Sequence, residues 1–491
     1  MTNSEPLLPI NSDEIQNGDL KEPPMSFSSN DLDGNSGNLI SQFIHLLFVA
    51  LAWTFDAQLS FVNIFSDADP AWHCTSGDSS GASSCFSAST PCNLPPGSWA
   101  WDFPAHASMI SEWALECASP TVVGLPASAF FAGSLAGGIL LSTLSDSALG
   151  RKNMLLLSCL TMSLAGVLTA LAPDVWTYSA LRFLCGFGRS TVCTTALILV
   201  SETVSGRWRD KVSIIGFLFF TLGFLSLPAI AYVNLASSWR ALYLWTSVPC
   251  ACYSVLLCFF INESPRWLSV QGANKIDADA SKSRSNFSTI KTIWDRKWAS
   301  QRLIASMIAG FGIGMVYTGM PLNAGNLGTD IYLSTALNAV AEVPSALAAL
   351  VIVGVTDRRL SVLGFTAACG ALNIACVFLE TKAWRMAAEV ASFFSVCTAF
   401  DVLLIYCVEL FPTCVRGSAM SLIRLAIVLG GAIAPMLVAL GRRWSFVSFG
   451  VFGVVIAFCG LATVCLPETK GRSIRDTMEE EEEEEEEDCR K

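Results

Sequence analysis

Long apolar stretches separated by short polar turns run through nearly the whole chain. They fall at 40–63, 121–145, 153–172, 175–200, 211–234 and 240–261, then at 301–322, 331–355, 360–380, 384–408, 417–440 and 445–466. A helix needs roughly 20 apolar residues to cross a bilayer. The pattern therefore predicts an all-α membrane protein with twelve transmembrane helices. The stretch starting near Trp176 reads as one span, although Arg182 and Arg189 interrupt it.

The polar turns repeat. Asp146 with Gly150-Arg151-Lys152 is echoed by Asp357-Arg358-Arg359, Glu202 with Arg207 by Glu409 with Arg416, and Glu263-Ser264-Pro265-Arg266 by Glu468-Thr469-Lys470. The offsets are 211, 207 and 205 residues, so the chain reads as two parallel halves of six helices each. Such internal repeats mark secondary transporters, whose substrate sits between the halves. The expected organisation is a disordered tail at 1–39, a first half at 40–261, a linker at 262–300, a second half at 301–466 and an acidic tail at 467–491.

Composition supports a lipid-facing chain. Hydrophobic residues make up 52% and charged residues 14%, too little charge to cover a soluble protein of this length. The net charge of −11 argues against nucleic acid as a partner, but much of it sits in the tails. Residues 1–39 are rich in Ser, Asn, Asp, Glu and Pro and lack an apolar signal-peptide core. Residues 479–488 are all Glu or Asp and read as a solvated tail.

The segment 66–119 has no Lys or Arg, whereas the central connection carries Arg266, Lys275, Lys282, Arg284, Lys291, Arg296, Lys297 and Arg302. The positive-inside rule places the linker and both termini in the cytosol and 66–119 outside, with Arg442 and Arg443 as the main exception. Most of the 18 cysteines lie singly in apolar spans, where a thiol is a small hydrophobe. Cys74, Cys85, Cys92 and Cys117 share the outer loop and are expected to form two disulfides, in any of three pairings. A metal site there is the less favoured reading.

Asp146, Gly150, Arg151 and Lys152 flank a tight turn, and an acid and a base so placed can pair across the halves in one state and part in another. Glu202, Arg207, Glu263, Arg266, Asp357, Arg358, Glu409 and Arg416 are expected to join them in two cytosolic networks that hold an outward-open state. Within the membrane lie Asp56, Glu342, Asp401, Arg182, Arg189 and Arg424. An ionised group costs roughly 2.5–3.5 kcal/mol at the bilayer centre, so such residues face a cavity or a partner. Mutual neutralisation as structural pairs is the bland alternative, and Asp56 also reads as close to the outer loop. Trp53, Tyr317 and Tyr406 are candidate faces for a quaternary ammonium, at about 0.5–2 kcal/mol per ring, though such rings are more often packing.

Several motifs carry a family resemblance. Asn262-Glu263-Ser264-Pro265-Arg266-Trp267-Leu268 resembles the signature closing the sixth span of organic cation, organic anion and sugar transporters. Glu409-Leu410-Phe411-Pro412-Thr413-Cys414-Val415-Arg416 and Leu466-Pro467-Glu468-Thr469-Lys470-Gly471 resemble elements of the organic ion branch. Trp53-Thr54-Phe55-Asp56-Ala57-Gln58, Trp72-His73-Cys74 and Gly310-Phe311-Gly312-Ile313-Gly314-Met315-Val316-Tyr317 are similar to plant organic cation/carnitine transporters. The resemblance spans about 40–478 and implies the major facilitator fold, with spans one, four, seven and ten around the cavity. Three features depart from the pattern. The Asp146 turn is one residue longer than usual, and the linker between the halves is shorter than the subgroup's. Ala426–Gly431 holds no acid where animal cation carriers use one, while Arg424 lies in the same span.

No nucleophile motif, metal-ligand motif or nucleotide loop stands out, so no enzyme activity, cofactor or ATP drive is expected. The reading is a secondary active or facilitative carrier of organic cations or carnitine-like zwitterions, working by alternating access. Its site candidates are Asp56, Trp53, Tyr317, Asp401, Tyr406 and Arg424, with Asp401 favoured as cavity acid and Arg424 nearby as either its partner or an anion-side contact. A coupling ion, H+ or Na+, is left open, as is plasma or vacuolar membrane. A proton-coupled sugar or organic anion carrier, or a non-transporting solute sensor, are the alternatives.

Overall fold

Twelve helices among the described residues are long and apolar enough to cross a membrane. The structure, a computed structural model, describes residues 36–75, 91–95, 97–147, 149–203, 206–235, 237–264, 268, 286–442, 444–470 and 477–482. Spans 1–6 are Ser36–Phe61, Pro120–Ser147, Arg151–Thr169, the pair Val175–Arg189 and Val192–Thr203, Gly206–Val233 and Trp239–Phe260. Spans 7–12 are Lys297–Leu322, Ile331–Val355, Arg358–Phe378, Lys382–Leu410, Thr413–Gly441 and Ser445–Leu461. The predicted all-α architecture is the one observed. Span 7 starts earlier than the expected 301, and the linker before it holds a helix of its own, Asn286–Asp295.

Span 4 is not the single helix expected over 175–200. It breaks at Ser190-Thr191, directly after Arg189, and Thr191 bonds Ser158 of span 3 at 2.7 Å between hydroxyl oxygens. Small residues set the packing inside the first half. A Cβ on Gly133 of span 2 would lie 1.9 Å from the carbonyl oxygen of Phe183, and one on Gly137 would lie 2.3 Å from that of Phe187. Spans 2 and 4 therefore touch backbone to backbone, as the Gly133-x-x-x-Gly137 spacing predicts. The halves meet along spans 2 and 11 and along spans 5 and 8.

An even number of spans puts the start of span 1 and the end of span 12 on one face, here the terminal face, and the described parts of segment 66–119 on the opposite loop face. In that segment β1, Trp72–Cys74, pairs antiparallel with β2, Trp99–Trp101, with Trp72 opposite Trp101. Cys92 and Cys117 are joined by a disulfide, Cys74 is disulfide-bonded as well, and Cys85 lies outside the described residues.

The described start of the acidic tail, 477–482, is largely solvent-exposed as expected, but it is also tied to the bundle. Met478 is 3% exposed in the core, Arg296 donates to Glu479 at 2.6 Å and pairs with Glu482, and Arg302 donates to Glu481 at 2.7 Å. The bases at the foot of span 7 neutralise these acids, and burial of Met478 anchors them.

Candidate functional site

At the terminal face the repeated signatures build two similar clusters. Gly150, with φ +81, ends the turn before span 3, where a Cβ would lie 2.5 Å from Glu263 Oε2. Glu263 Oε1 accepts from the Arg151 and Lys152 backbone N–H groups at 2.8 and 3.0 Å. The second half repeats this: Glu468 Oε1 accepts from Arg358 N at 2.9 Å and Oε2 from Arg359 N at 3.1 Å. Each acid after the sixth span of a half thus caps the N-terminus of that half's third span, where unpaired N–H groups and the helix dipole favour an anion. Burial pushes the Glu468 carboxyl up, but N–H bonds from Arg358, Lys470, Arg359 and Thr469 outweigh it and hold the group below its ordinary value.

The ion pairs described here run within halves: Arg151 Nε lies 3.8 Å from Glu202 Oε2, and Arg358 Nε lies 3.2 Å from Glu409 Oε2. Thr469 donates to Glu409 at 2.6 Å. Lys152 Nζ donates to the Cys258 carbonyl at 2.9 Å. Arg416 does not meet Glu409; its Nε donates to the Phe411 carbonyl at 3.2 Å, because Arg358 already occupies that carboxylate. Asp357 is exposed and gives span 9 no side-chain cap. The side chains of Asp146 and Arg207, and all of Arg266, lie outside the described residues.

Midway through the bundle, Asp56 is 1% exposed and accepts from Arg189 Nε at 2.7 Å and Nη2 at 3.2 Å, with Cys193 Sγ at 3.2 Å. This overturns its placement near the outer loop: it is the buried partner of span 4. Arg424 faces that group from the other half, within electrostatic reach of Cys193, Arg189 and Asp56. It is exposed and has no hydrogen bond or ion pair among the described residues.

Beside it, in the second half, Glu342 of span 8 is 1% exposed and accepts from Tyr317 OH at 2.6 Å. Thr221 Oγ1 of span 5 reaches the same carboxylate at 3.3 Å, so this bond crosses between halves. The Tyr317 ring stacks on Phe393 and Phe400 of span 10, with centroids 5.9 and 5.2 Å apart. Asp401, next to Phe400, keeps Oδ2 buried without a hydrogen-bond partner and lies within electrostatic reach of Glu342 and Tyr317.

Of the predicted site residues, the structure gathers Tyr317 and Asp401 in one place, with Asp56 and Arg424 facing it. Asp401 and Arg424 are not a pair, because each lies nearer another partner's group. Trp53 is 7% exposed and packs its ring over Gly216 of span 5; only glycine there leaves room for it. Tyr406 is fully buried and donates to the Pro467 carbonyl at 2.5 Å, far down span 10 at the terminal face. Neither ring offers a face to a ligand. Sequence reasoning missed Thr221, Phe393, Phe400 and Glu389. The last is fully buried in span 10 and accepts from Asn338 Nδ2 at 2.8 Å. A carboxylate inside an apolar window was the available signal for it.

Two six-helix halves joined along spans 2, 11, 5 and 8, with matched charge clusters at one face, fit one family, and residues 47–435 match its description, the Major Facilitator Superfamily. The chain belongs to the major facilitator superfamily. It is 45% identical over 467 residues to organic cation/carnitine transporter 3 of Arabidopsis thaliana, covering 90% of each chain. Organic cation/carnitine transporter 2 of that plant is 45% identical over 481 residues, again at 90% of each. Solute carrier family 22 member 3 of Rattus norvegicus is 29% identical over 413 residues, covering 79% of this chain and 74% of the relative. The fold is similar to the inward-open xylose transporter of E. coli, with a TM-score of 0.62 at 17% identity, over 89% of this chain and 98% of that one. As a member of this superfamily the protein is a multi-pass membrane transporter and not an enzyme.

Proposed function

We propose that the protein carries organic cations or carnitine-like zwitterions by alternating access between its halves. The observation that carries this reading is a pair of unmatched charges inside the bundle: Asp401 keeps Oδ2 buried without a hydrogen-bond partner, and Arg424 is exposed with no ion pair among the described residues. There the half-buried rings of Tyr317 and Phe400, the former also backed by Phe393, lie beside Asp401 and suit an ammonium by cation–π and charge attraction. Arg424 of span 11, exposed and with no ion pair among the described residues, is suited to a carboxylate. The naming of the Arabidopsis relatives as organic cation/carnitine transporters supports the same class. Asp56 and Arg189 satisfy one another and serve the wall rather than the ligand.

The six spans at 40–261 and the six at 301–466 would move as two bodies. The charge clusters, each contained within one half, would brace those bodies. The base-rich linker argues for a cytosolic terminal face, in the plasma or vacuolar membrane. Uptake of labelled carnitine, tetraethylammonium and hexose into yeast expressing the protein tests the reading. Saturable uptake of the first two is expected; uptake of hexose alone would overturn it.

A further inference from the structure

Arg442, the base that contradicts the positive-inside pattern, closes the gap between the halves at the loop face. Its Nη1 pairs with Asp69 Oδ1 at 3.0 Å, and its Nη2 donates to the backbone carbonyl of Asp67 at 2.5 Å. Phe65 stacks on Tyr332 from the other half, with centroids 5.3 Å apart. These contacts border a cavity of about 380 Å³ between the halves, lined by Asn63, Asp67, Asp69, Asn326, Tyr332 and Arg442 among others.

Asp67 is the unusual member. It is 7% exposed, and its Oδ1 accepts from Ser66 Oγ at 2.8 Å and from Tyr178 OH at 2.7 Å. Tyr178 OH in turn lies 2.6 Å from Tyr243 OH. Its Oδ2 is buried with no partner. Two hydroxyls serve one oxygen and nothing serves the other, which leaves a place for a proton. The charged groups facing it are Arg182 from span 4 and Arg442 from span 11. Tyr178 comes from span 4 and Tyr243 from span 6, while Asp69 on its own segment answers Arg442. Glu112, in the loop helix packed alongside, is engaged by Trp239 and Arg240. Burial pushes the Asp67 carboxyl up from its ordinary value, opposed by the Tyr178 and Ser66 bonds and by the two arginines.

We propose that Asp67 binds a proton and so sets the closure of the loop face: ionised and gripped by Ser66 and Tyr178, it adds its charge to that of Asp69 and steadies the backbone carbonyl that Arg442 bonds; protonated, it loosens that hold and lets the halves part. The proton comes from water in the loop-face cavity and forms one O–H bond at Oδ2. Losing Arg442 as a neighbour makes the carboxyl easier to protonate, so opening and proton uptake favour each other. Opening is therefore promoted as pH falls. On the carrier reading above, an acidic loop side would load the protein with a proton, but the gate itself needs no substrate.

The test is a spin-label distance measurement between Ser237→Cys and Trp444→Cys, exposed positions of the two halves at this face. The background carries the exposed free cysteines Cys252, Cys258, Cys414 and Cys465 as serine. In the otherwise unaltered protein a longer distance should gain population as pH is lowered from neutral. Asp67→Asn and Arg442→Gln should each show the longer distance at every pH. Tyr178→Phe removes a donor to the ionised form, so the midpoint of the response should move to higher pH. A distance indifferent to pH, an Asp67→Asn protein that keeps the response, or an unmoved midpoint in Tyr178→Phe would each overturn the proposal. No substrate enters the measurement, so its failure is separate from failure of the carrier reading.

Discussion

Glu263 and Glu468 show what a single residue contributes beyond its charge. Each lies past the last span of its half, yet each closes the N-terminus of a helix over 100 residues earlier in the chain. A capping carboxylate contributes about 0.5–2 kcal/mol. Because the Glu468 carboxyl is held below its ordinary value of 4.5, its contribution is full above that value. It fades as pH falls through the lower folded value. Thermal unfolding in detergent should therefore separate wild type from Glu468→Gln at neutral pH, and the two curves should converge on acidification. Equal melting temperatures at neutral pH would show that the cap carries no stability. The sequence made these acids visible as repeats but not their targets. An acid paired with a backbone N–H in a distant turn leaves no partner residue type to look for. Trp53 and Tyr406 were misread for the converse reason, since an aromatic ring in a span looks the same whether it packs on a glycine or faces a ligand.

Among the elements, span 2 depends on its glycines because its neighbour comes within backbone contact. Gly133→Ala puts a methyl group 1.9 Å from the Phe183 carbonyl, backbone that cannot swing aside. Gly354 in span 8 has nothing within 4 Å of the same position. Size-exclusion profiles and melting temperatures should collapse for Gly133→Ala and hold for Gly354→Ala. Similar behaviour of the two would argue that close packing of spans 2 and 4 is dispensable. The loop offers a second check: native-state alkylation mapped by mass should leave Cys74, Cys92 and Cys117 unlabelled without reductant. The number and type of elements were legible because lipid forces every span to be long, helical and apolar. The break in span 4 was not. It follows from the pull of Asp56 on Arg189, a contact between residues 133 apart.

For the whole molecule, the charges within the spans of the second half face two different groups. The sequence supplied Asp401, Arg424 and Tyr317 as candidates and left Arg424 as either the partner of Asp401 or an anion-side contact, whereas the fold turns Arg424 toward Asp56 and Arg189 and leaves Asp401 with Glu342. That separation yields opposite expectations for two substitutions. Arg424→Gln removes an exposed base that has no ion pair among the described residues, so only a ligand with a carboxylate should notice. A charge-assisted hydrogen bond is worth about 1.5–3 kcal/mol, hence carnitine affinity should fall roughly 10- to 100-fold. Tetraethylammonium affinity should hold. Asp401→Asn keeps shape and removes the negative charge beside the aromatic wall, so both ligands should weaken several-fold. Expression should survive both changes, since neither residue has an ion-pair partner to strand. Competition binding in detergent, with carnitine and tetraethylammonium displacing one labelled probe, reads both arms at once. Equal loss of the two ligands in Arg424→Gln would mean that Arg424 shapes the site rather than meeting a carboxylate. Unchanged affinity in Asp401→Asn would move the ammonium site to Glu342, the remaining acid bonded to Tyr317.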